Sequence, residues 1–175
     1  MKNHAFTLIE LLVVILIIGI LAAIAYPQYQ KMIIRSKLVP IEVNVNALFK
    51  SMEMYEMANG TPQYKSADPG TLDVNMQIDY YNPGDHTFHN KYGYWQVGMS
   101  SYKSWVYFYG NGSMENMNIG FDRLTAQYDR ARKIRLFNVP QDLTFRKIVC
   151  QWWVERHGTG RMGDARTPCN EVGVQ

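Results

Sequence analysis

Three features of the sequence predict an α+β fold in which one long N-terminal helix packs on a C-terminal antiparallel β-sheet head. The first is an apolar run near the start of the chain, from Phe6 to Tyr26. The second is a stripe of apolar residues at helical spacing between residues 34 and 55, and the third is a set of strand-like runs after residue 91. With 175 residues, the chain is long enough for one packed domain beyond the apolar helix.

The apolar run is long enough to cross a bilayer as a helix. From Phe6 to Tyr26 it would span about 30 Å, which is the thickness of the hydrocarbon core. Its one charged residue is Glu10, and an acid inside a spanning segment is disfavoured by roughly 2.5 to 3.5 kcal/mol at mid-bilayer. Glu10 is therefore expected to need a partner. Cleavage just before Phe6 would create an α-amino group at the edge of the apolar layer, and that amine could pair with the carboxylate.

The segment around these residues closely resembles the N-terminus of type IV prepilins and of type II secretion pseudopilins. The resemblance is carried by Phe6-Thr7-Leu8-Ile9-Glu10-Leu11-Leu12, by an apolar helix that contains Gly19, and by Tyr26-Pro27-Gln28-Tyr29. It is strong over about the first 30 residues of the chain. Beyond them the likeness is one of architecture only.

The resemblance implies how the N-terminus is processed and used. A prepilin peptidase would remove a leader of residues 1–5 by cutting between Ala5 and Phe6, and would methylate the new amino group of Phe6. That amine would then face Glu10 of a neighbouring subunit as the helices bundle into a filament core. The family usually has glycine before the cut, whereas this chain has Ala5, another small residue.

The same resemblance implies a division into regions and a cellular location. A transmembrane and assembly helix over residues 6–29 would follow the leader, and residues 30–175 would form a periplasmic or extracellular head. The precursor would reside in the bacterial inner membrane, with the membrane as its partner before assembly. Inner-membrane assembly machinery would then polymerise it into a helical homopolymer, a pilus on the cell surface.

Two other interpretations use the same segment. The chain could be a type II secretion pseudopilin, which a bound calcium ion or a filament confined to the periplasm would favour. Alternatively, Lys2, the apolar run and Ala23-Ile24-Ala25 imitate a secretory signal with an A-x-A cleavage site, which would leave a soluble secreted protein. The acid at Glu10 argues against that cleavage. The mass of the mature N-terminus decides between a start at methylated Phe6 and a start at Tyr26.

Beyond Pro27 the helix is predicted to continue as far as Met57. Seven apolar residues recur at alternating steps of four and three, the pattern of an amphipathic helix packed on the head: Ile34, Leu38, Ile41, Val45, Leu48, Met52 and Tyr55. Pro27 and Pro40 each remove a backbone donor, so the helix is expected to bend or melt locally at both. The sequence Asn59-Gly60-Thr61-Pro62 is expected to end it, with Gly60 as the cap.

Five runs after residue 91 have strand character: Trp95 to Met99, Trp105 to Tyr109, Met117 to Phe121, Ile134 to Val139 and Phe145 to Val154. The first two predict a hairpin across Ser100-Ser101, and Asn111-Gly112 predicts the next turn. Arg123 to Arg132 is compatible with either a helix or a strand. Turn-forming residues between Thr61 and Lys91 predict a long surface connection in that region.

Charge is divided unevenly along the chain. Residues 42–122 contain nine acids and four lysines, whereas residues 123–166 contain ten basic residues and four acids. Such runs are usually solvated faces, but in a filament the acidic region of one subunit could also meet the basic region of the next in a heterologous contact. A third interpretation is that the basic stretch binds DNA phosphates. Without Lys2 of the leader the side chains sum to 17 basic minus 15 acidic, or +2, which predicts no strong net attraction to nucleic acid or to anionic lipid.

Cys150 and Cys169 are the only cysteines of the chain. In an exported protein they can form one internal disulfide, which would stabilise the fold by about 3 kcal/mol in the chain-entropy model. The resemblance agrees, because many pilins close their C-terminal segment with one disulfide. Zinc bound by Cys150, His157, Cys169 and a distant fourth ligand is the alternative, although no paired C-x-x-C or H-x-x-x-H spacing is present.

No catalytic arrangement is visible, and the chain is not expected to be an enzyme. His86, His89 and His157 have no recognisable nucleophile or metal motif around them. Gly158 to Gly163 fits G-x-G-x-x-G, but no helix and acid follow at the spacing of a dinucleotide site, so no cofactor is predicted. A calcium site has no D-x-D-x-D-G spacing to support it at the acids of the long connection, Asp73, Asp79 and Asp85.

Overall fold

The computed structural model describes residues 7–66, 72, 78–115, 117–158 and 169 of the chain. Its largest element is α1, Leu8–Asn59, a single helix of 52 residues that is therefore about 78 Å long. An antiparallel sheet follows α1, and a second helix, α2, Leu143–His157, follows the sheet. The α+β architecture predicted from the sequence is confirmed.

Seven strands within the described residues form one antiparallel sheet. They are β1 Tyr64–Ser66, β2 Tyr80–Asn82, β3 Thr87–Asn90, β4 Gly93–Ser100, β5 Lys103–Gly110, β6 Asn118–Leu124 and β7 Ile134–Asn138. The strands from β2 to β7 lie side by side in chain order, and β1 pairs with the end of β4 that β3 leaves free. A short 3-10 turn, Gly112–Met114, joins β5 to β6.

The sheet confirms most of the predicted strands. The predicted hairpin is β4 and β5, in which Val97 lies opposite Val106. The runs that begin at Met117 and Ile134 are β6 and β7. The segment from Arg123 to Arg132, which the sequence left open, begins as the end of β6 and continues in turns.

The prediction of a strand over Phe145 to Val154 is wrong, because this segment lies in helix α2. Asp142 caps the helix: its Oδ1 accepts hydrogen bonds from the backbone amides of Thr144 at 2.9 Å and of Phe145 at 3.0 Å. Buried residues recur four positions apart, as in a helix: Ile148 and Val149, then Trp152 and Trp153. The β-branched and aromatic side chains that suggested a strand are those that fill the space between α2 and the sheet.

The long surface connection predicted from Thr61 to Lys91 is also only partly correct, because β1, β2 and β3 all lie inside it. Phe88 of β3 is fully buried and lies opposite Trp95 of β4. Strands of three or four residues are too short to show a clear alternation, so turn residues dominated the sequence pattern.

The core lies between the sheet and the back half of α1. Five residues of the predicted stripe are at most 1% exposed: Leu38, Ile41, Val45, Leu48 and Met52. They pack with buried residues of the sheet and of α2, including Trp95, Phe108, Phe121, Val149 and Trp153. The amphipathic back half of α1 is therefore confirmed as the helix that packs on the head.

Helix α1 ends where the sequence predicts and is helical throughout. Gly60 follows it at φ +77°, a conformation that favours glycine, and the Gly60 amide donates to the Glu56 carbonyl at 2.9 Å. Pro27 and Pro40 both lie inside the helix, and every residue between Leu8 and Asn59 is helical. The bend expected at the two prolines stays a prediction.

Helix α2 lies beside α1, with its N-terminal end towards the apolar front half of α1. Lys31 shares a cleft with the first half of α2. Further along α1, Arg35 pairs with Glu155, and Glu42 pairs with His157 at the last turn of α2. The two helices therefore run in the same direction, and the first turn of α2 is the end of the head nearest to the apolar segment.

Candidate functional site

The N-terminal end of α1 carries a reciprocal cap between Thr7 and Glu10. Thr7 is the N-cap, and its backbone amide donates to Glu10 Oε2 at 2.8 Å. The Thr7 hydroxyl donates to the same oxygen at 2.6 Å, and the Glu10 amide donates to Thr7 Oγ1 at 3.4 Å. This arrangement is a capping box, in which each side chain satisfies a backbone donor of the other residue. The Glu10 carboxylate also lies at the positive end of the helix dipole, which favours its charge.

The cap changes how the charge of Glu10 is accommodated. The sequence predicts an amine as the partner of this acid, whereas two donors of Thr7 already bind the carboxylate within one chain. Hydrogen bonds to charged groups contribute about 1.5–3 kcal/mol, which is comparable to the penalty for placing an acid in an apolar layer. A second chain would therefore meet a carboxylate that its own helix has already oriented.

Sequence reasoning missed Thr7, although a signal for it is present. Thr7 is followed three positions later by Glu10 and then by a long apolar run, and that order is the signature of a capping box. The position of an acid in an apolar segment points to a charged partner, whereas the spacing to Thr7 points to a helix cap.

The front half of α1, residues 8–29, is exposed along its whole length. Its large apolar side chains keep between 44% and 83% of their surface. The helix is long and apolar enough to cross a membrane, and none of its apolar window is buried by the described residues. The described chain therefore leaves a long apolar surface that needs another cover, either lipid or other chains.

A hollow of about 480 Å³ lies on this apolar surface. It is lined by Leu12, Ile15, Leu16, Gly19, Ile20 and Ala23. A Cβ added at Gly19 would meet no atom within 4 Å, so packing within the described residues does not require glycine at this position. Small residues on a membrane helix allow a second helix to approach closely, and Gly19 and Ala23, four positions apart, provide such a place.

The predicted processing site lies outside the described residues. Both Ala5 and Phe6 precede Thr7, where the described structure begins. The cut between them, the methylation of Phe6 and the pairing of its amine with Glu10 therefore stay predictions. The same holds for the division of the chain into residues 1–5, 6–29 and 30–175.

Ion pairs and a hydrogen bond to His157 join the back half of α1 to α2. Glu42 lies at the centre of one group, with Oε2 at 2.8 Å from Arg156 Nε and Oε1 at 2.8 Å from His157 Nε2. About two turns towards the N-terminus of α1, Arg35 Nη2 lies 2.9 Å from Glu155 Oε1. These contacts attach α2 to a helix that begins far outside the head.

A second group of charges joins α1 to the sheet and the turns after it. Glu53 accepts from Arg123 at 3.2 Å and from Arg132 at 2.7 Å. Glu56 Oε1 accepts from the Ser104 hydroxyl at 3.1 Å, and its Oε2 lies 3.5 Å from Arg132 and 3.8 Å from Arg123. Burial lowers the pKa of Arg123, while the nearby Glu56 and Glu53 raise it. Arginine stays charged under these influences.

These ion pairs form between the acidic and the basic regions of the sequence, within one chain. Besides the two groups on α1, Asp122 holds Arg135 through two hydrogen bonds of 2.9 and 3.0 Å. The basic residues concerned are neither purely solvated nor left for a neighbouring subunit, because they tie elements of one chain together. These arginines are also bound to acids of their own chain, which weakens the interpretation that the basic stretch binds DNA phosphates. Arg161 and Arg166, also in the basic stretch, lie outside the described residues.

Cys150 of α2 is bonded to Cys169, with 5.7 Å between their Cα atoms. The predicted disulfide is confirmed. The zinc alternative is wrong, because it needs both sulfurs as free thiolates. Among the described residues, no three His, Cys, Asp or Glu side chains are placed to hold a metal ion; Asp73 and most of the glycine-rich sequence after Gly158 lie outside them.

Comparison with known proteins bears on the same N-terminal segment. Residues 1–26 match the family model of the prokaryotic N-terminal methylation motif. This motif, the apolar helix and the α+β head are together typical of a prepilin-type protein.

Curated relatives of the chain include type IV pilins and a type II secretion protein. The chain is 46% identical over 54 residues to the type IV major pilin protein of Myxococcus xanthus, which covers 31% of this chain and 24% of that protein. It is 70% identical over 35 residues to a type IV major fimbrial protein of Dichelobacter nodosus, covering 20% and 22%. It is 34% identical over 93 residues to the type II secretion system core protein G of Pseudomonas aeruginosa, covering 53% and 63%.

The chain thus matches less than two thirds of the length of each of these relatives. No solved structure matches it significantly. The motif, the relatives and the architecture support a type IV pilin family for this chain, with a type II secretion pseudopilin among the relatives.

Proposed function

We propose that the chain is a structural subunit of a type IV pilus, stored in the inner membrane through α1 and polymerised through the same helix. The observation that carries the proposal is the capped Glu10 at the start of an apolar helix that the described chain leaves uncovered. Such a surface is stable in lipid or in a bundle of like helices, and it is an aggregation hazard in water.

In the membrane, the Thr7 cap allows a single subunit to hold its acid. The carboxylate is bound by the Thr7 amide and hydroxyl and needs no second chain. Apart from Gln28 near its end, the rest of the front half is apolar or aromatic and meets lipid. The subunit is thus stable while it waits for assembly.

Assembly follows cleavage between Ala5 and Phe6 by a prepilin peptidase. The amine of Phe6 in one subunit then approaches Glu10 of its neighbour, where the low dielectric of packed helices strengthens the attraction between the two charges. The contact is heterologous, because an amine on one chain meets an acid on the next. Contacts of this kind build an open helical filament when they do not close into a ring.

The head moves with the helix during assembly. Ion pairs from Glu42, Glu53 and Glu56 and the packing of the apolar stripe hold it on the back half of α1. A subunit drawn out of the membrane by its front half therefore carries a folded head to the filament surface.

A type II secretion pseudopilin is the second candidate, and the likeness to core protein G supports it, although a fimbrial protein of Eikenella corrodens aligns over a similar length of 100 residues. The alignment with core protein G extends over 93 residues, which is longer than the 52 residues of α1. That alignment therefore includes residues of the head. The two candidates share the same assembly chemistry and differ in where the filament ends.

The test is electron microscopy of filaments sheared from cells that express the chain, with mass spectrometry of their main protein band. A pilus subunit gives surface filaments whose chain begins at methylated Phe6. Filaments confined to the periplasm favour the pseudopilin. A mature chain that begins at Tyr26, with no filament containing it, contradicts both.

A further inference from the structure

A cleft of about 290 Å³ lies between α1 and the first half of α2. It is lined by Lys31, Leu143, Thr144, Lys147, Ile148 and Gln151. Two of these side chains are cationic and none is acidic. A hydroxyl and an amide lie beside the two cations, and two aliphatic side chains complete the wall. The lining is that of a site for a small oxyanion attached to an apolar group.

The two lysines of the cleft have no anionic partner among the described residues. Lys31 and Lys147 are both exposed, and neither takes part in an ion pair there. Arg35, one turn further along α1, is by contrast bound to Glu155 at 2.9 Å. Asp142, five positions before Lys147 in the sequence, accepts hydrogen bonds from the backbone amides at the start of α2. The positive charge of the cleft is therefore available to a ligand.

The cleft lies at a defined depth relative to the apolar segment. Lys31 follows Tyr26, the end of the apolar run, by five residues, or about 7.5 Å along a helix. A bilayer has a hydrocarbon core of about 30 Å and a total thickness of about 40–45 Å, so each headgroup layer is about 5–8 Å deep. With the front half of α1 across the membrane, Lys31 reaches the level of the lipid phosphates.

Exposed apolar and aromatic side chains lie at the same level along the two helices, on the cleft and on other faces of α1. Leu143 is 66% exposed at the first turn of α2, and Tyr29 and Met32 of α1 are 63% and 70% exposed. Tyrosine is enriched at membrane–water interfaces, where its ring and hydroxyl meet different surroundings. This end of the head is therefore suited to contact a membrane surface.

We propose that the cleft binds the phosphate of an anionic phospholipid headgroup while the subunit resides in the membrane. Lys31 and Lys147 supply the charge, Thr144 and Gln151 supply hydrogen bonds, and Leu143 contacts the apolar part of the lipid. The inference rests on the proposed function, because it requires α1 to span the bilayer. Free phosphate shares the same chemistry, but the depth of the cleft favours the lipid.

The test uses the full-length chain in nanodiscs of phosphatidylcholine that contain a minor fraction of phosphatidylglycerol. After mild release, native mass spectrometry counts the lipids that stay bound. The variant Lys31→Gln/Lys147→Gln is compared with the wild type and with Lys50→Gln/Lys91→Gln. The control removes two exposed lysines as well, but Lys50 lies 19 residues further along α1 and Lys91 lies in a turn of the sheet.

Wild type and control are expected to retain phosphatidylglycerol in preference to phosphatidylcholine. Retention by the double variant at the cleft should fall about ten- to thirty-fold, since each lysine near an anionic surface contributes about 1 kcal/mol. Equal retention by the two double variants overturns the proposal. So does displacement of the lipid by millimolar inorganic phosphate that itself stays bound, because the cleft would then be a site for the free ion.

The same experiment separates this inference from the proposed function. If the wild type enters the nanodiscs but shows no preference for the anionic lipid, only the lipid site is refuted. If the wild type does not enter the nanodiscs at all, the membrane-spanning role of α1 is refuted, and the lipid site with it.

Discussion

The two halves of α1 form one continuous helix that meets two different surroundings. In the front half, Ile15 is 61% exposed, whereas Leu48 in the back half is fully buried under the sheet. The front half is apolar around its whole circumference, and the back half is apolar along one stripe only. One helix thus presents two kinds of surface: its front half leaves apolar side chains exposed, and its back half buries them in the fold of its own chain.

The largest effect expected is that of Glu10 on assembly. Glu10→Ala and Glu10→Leu should leave membrane insertion and leader cleavage intact, because both make the front half more apolar. In the proposed filament they leave the neighbour's amine without its acid, and breaking a buried pair in this way costs about 3–5 kcal/mol. Filament yield should fall at least about ten-fold, as measured by shearing and immunoblotting of surface filaments.

The control for the Glu10 variants is the stability of the head. Its disulfide and its denaturant midpoint should be unchanged in both variants, because Glu10 lies at the exposed start of α1, far from the described part of the head. Normal filament numbers in Glu10→Leu would contradict the proposed function.

A substitution in the buried stripe of the back half should instead lower the stability of the fold. Leu48→Ala removes a fully buried side chain from the core, which should lower the free energy of unfolding by about 2–5 kcal/mol. Val43→Ala, on the exposed side of the same helix at 61% exposure, should change it by less than about 0.5 kcal/mol. Urea unfolding of the full chain in detergent, followed by tryptophan fluorescence, measures both. Equal effects would mean that the back half does not pack on the sheet as described.

Removing the disulfide should weaken the head by a similar or smaller amount. The Cys150→Ser/Cys169→Ser variant opens a link between residues 19 positions apart, and the free energy of unfolding should fall by about 3 kcal/mol. Reduction of the wild type should reproduce the loss, which controls for the serine side chains. An unchanged unfolding midpoint after both treatments would show that the link adds nothing to the head.

The sequence predicts the two halves of α1 well because each has its own periodicity. Long apolar runs and regular stripes are strong local signals, and the helix ends at Asn59, next to Gly60, as expected. Helix α2 is mispredicted because its local composition favours a strand, while Asp142 and the packing of Trp152 and Trp153 decide for a helix. Tertiary packing overrides propensity in this segment.

The ion pairs could not have been predicted from a single sequence. Glu42 and His157 are 115 residues apart, and Glu53 and Arg132 are 79 residues apart. No local pattern connects such residues, so the charge runs suggested solvated faces or contacts between subunits. Thr7 is the opposite case, because its role could have been read from its spacing to Glu10.

Thr7 offers a smaller change at the same end of the helix. Thr7→Val removes the hydroxyl that binds Glu10 and accepts from its amide, and loss of an N-cap costs about 1 kcal/mol. Subunits of this variant should insert less efficiently, as measured by carbonate extraction of membranes, because the acid loses one donor. Thr7→Ser keeps the hydroxyl and should behave as the wild type. A wild-type level of insertion in Thr7→Val would show that the cap is not needed in the membrane.

The smallest effect is expected on the exposed side of the sheet, at Tyr109. Its ring stacks on that of Tyr94, with 4.7 Å between the centroids, and burial together with the neighbouring Tyr94 raises the pKa of Tyr109 above its usual 10.0. The folded chain therefore holds this proton more tightly than the unfolded chain does. The stability that this contributes is present below pH 10.0 and is lost as the pH rises through the raised pKa of the folded state.

Urea unfolding on both sides of pH 10.0 measures this loss, and Tyr109→Phe should remove the part of it that belongs to Tyr109. The same variant should leave filament yield unchanged, because the ring lies on the head and far from the front half of α1. A decline of stability that is identical in wild type and Tyr109→Phe would place the sensitive proton elsewhere. A loss of filaments with unchanged stability would mean that this face of the sheet, and not only the front half of α1, contacts neighbouring subunits.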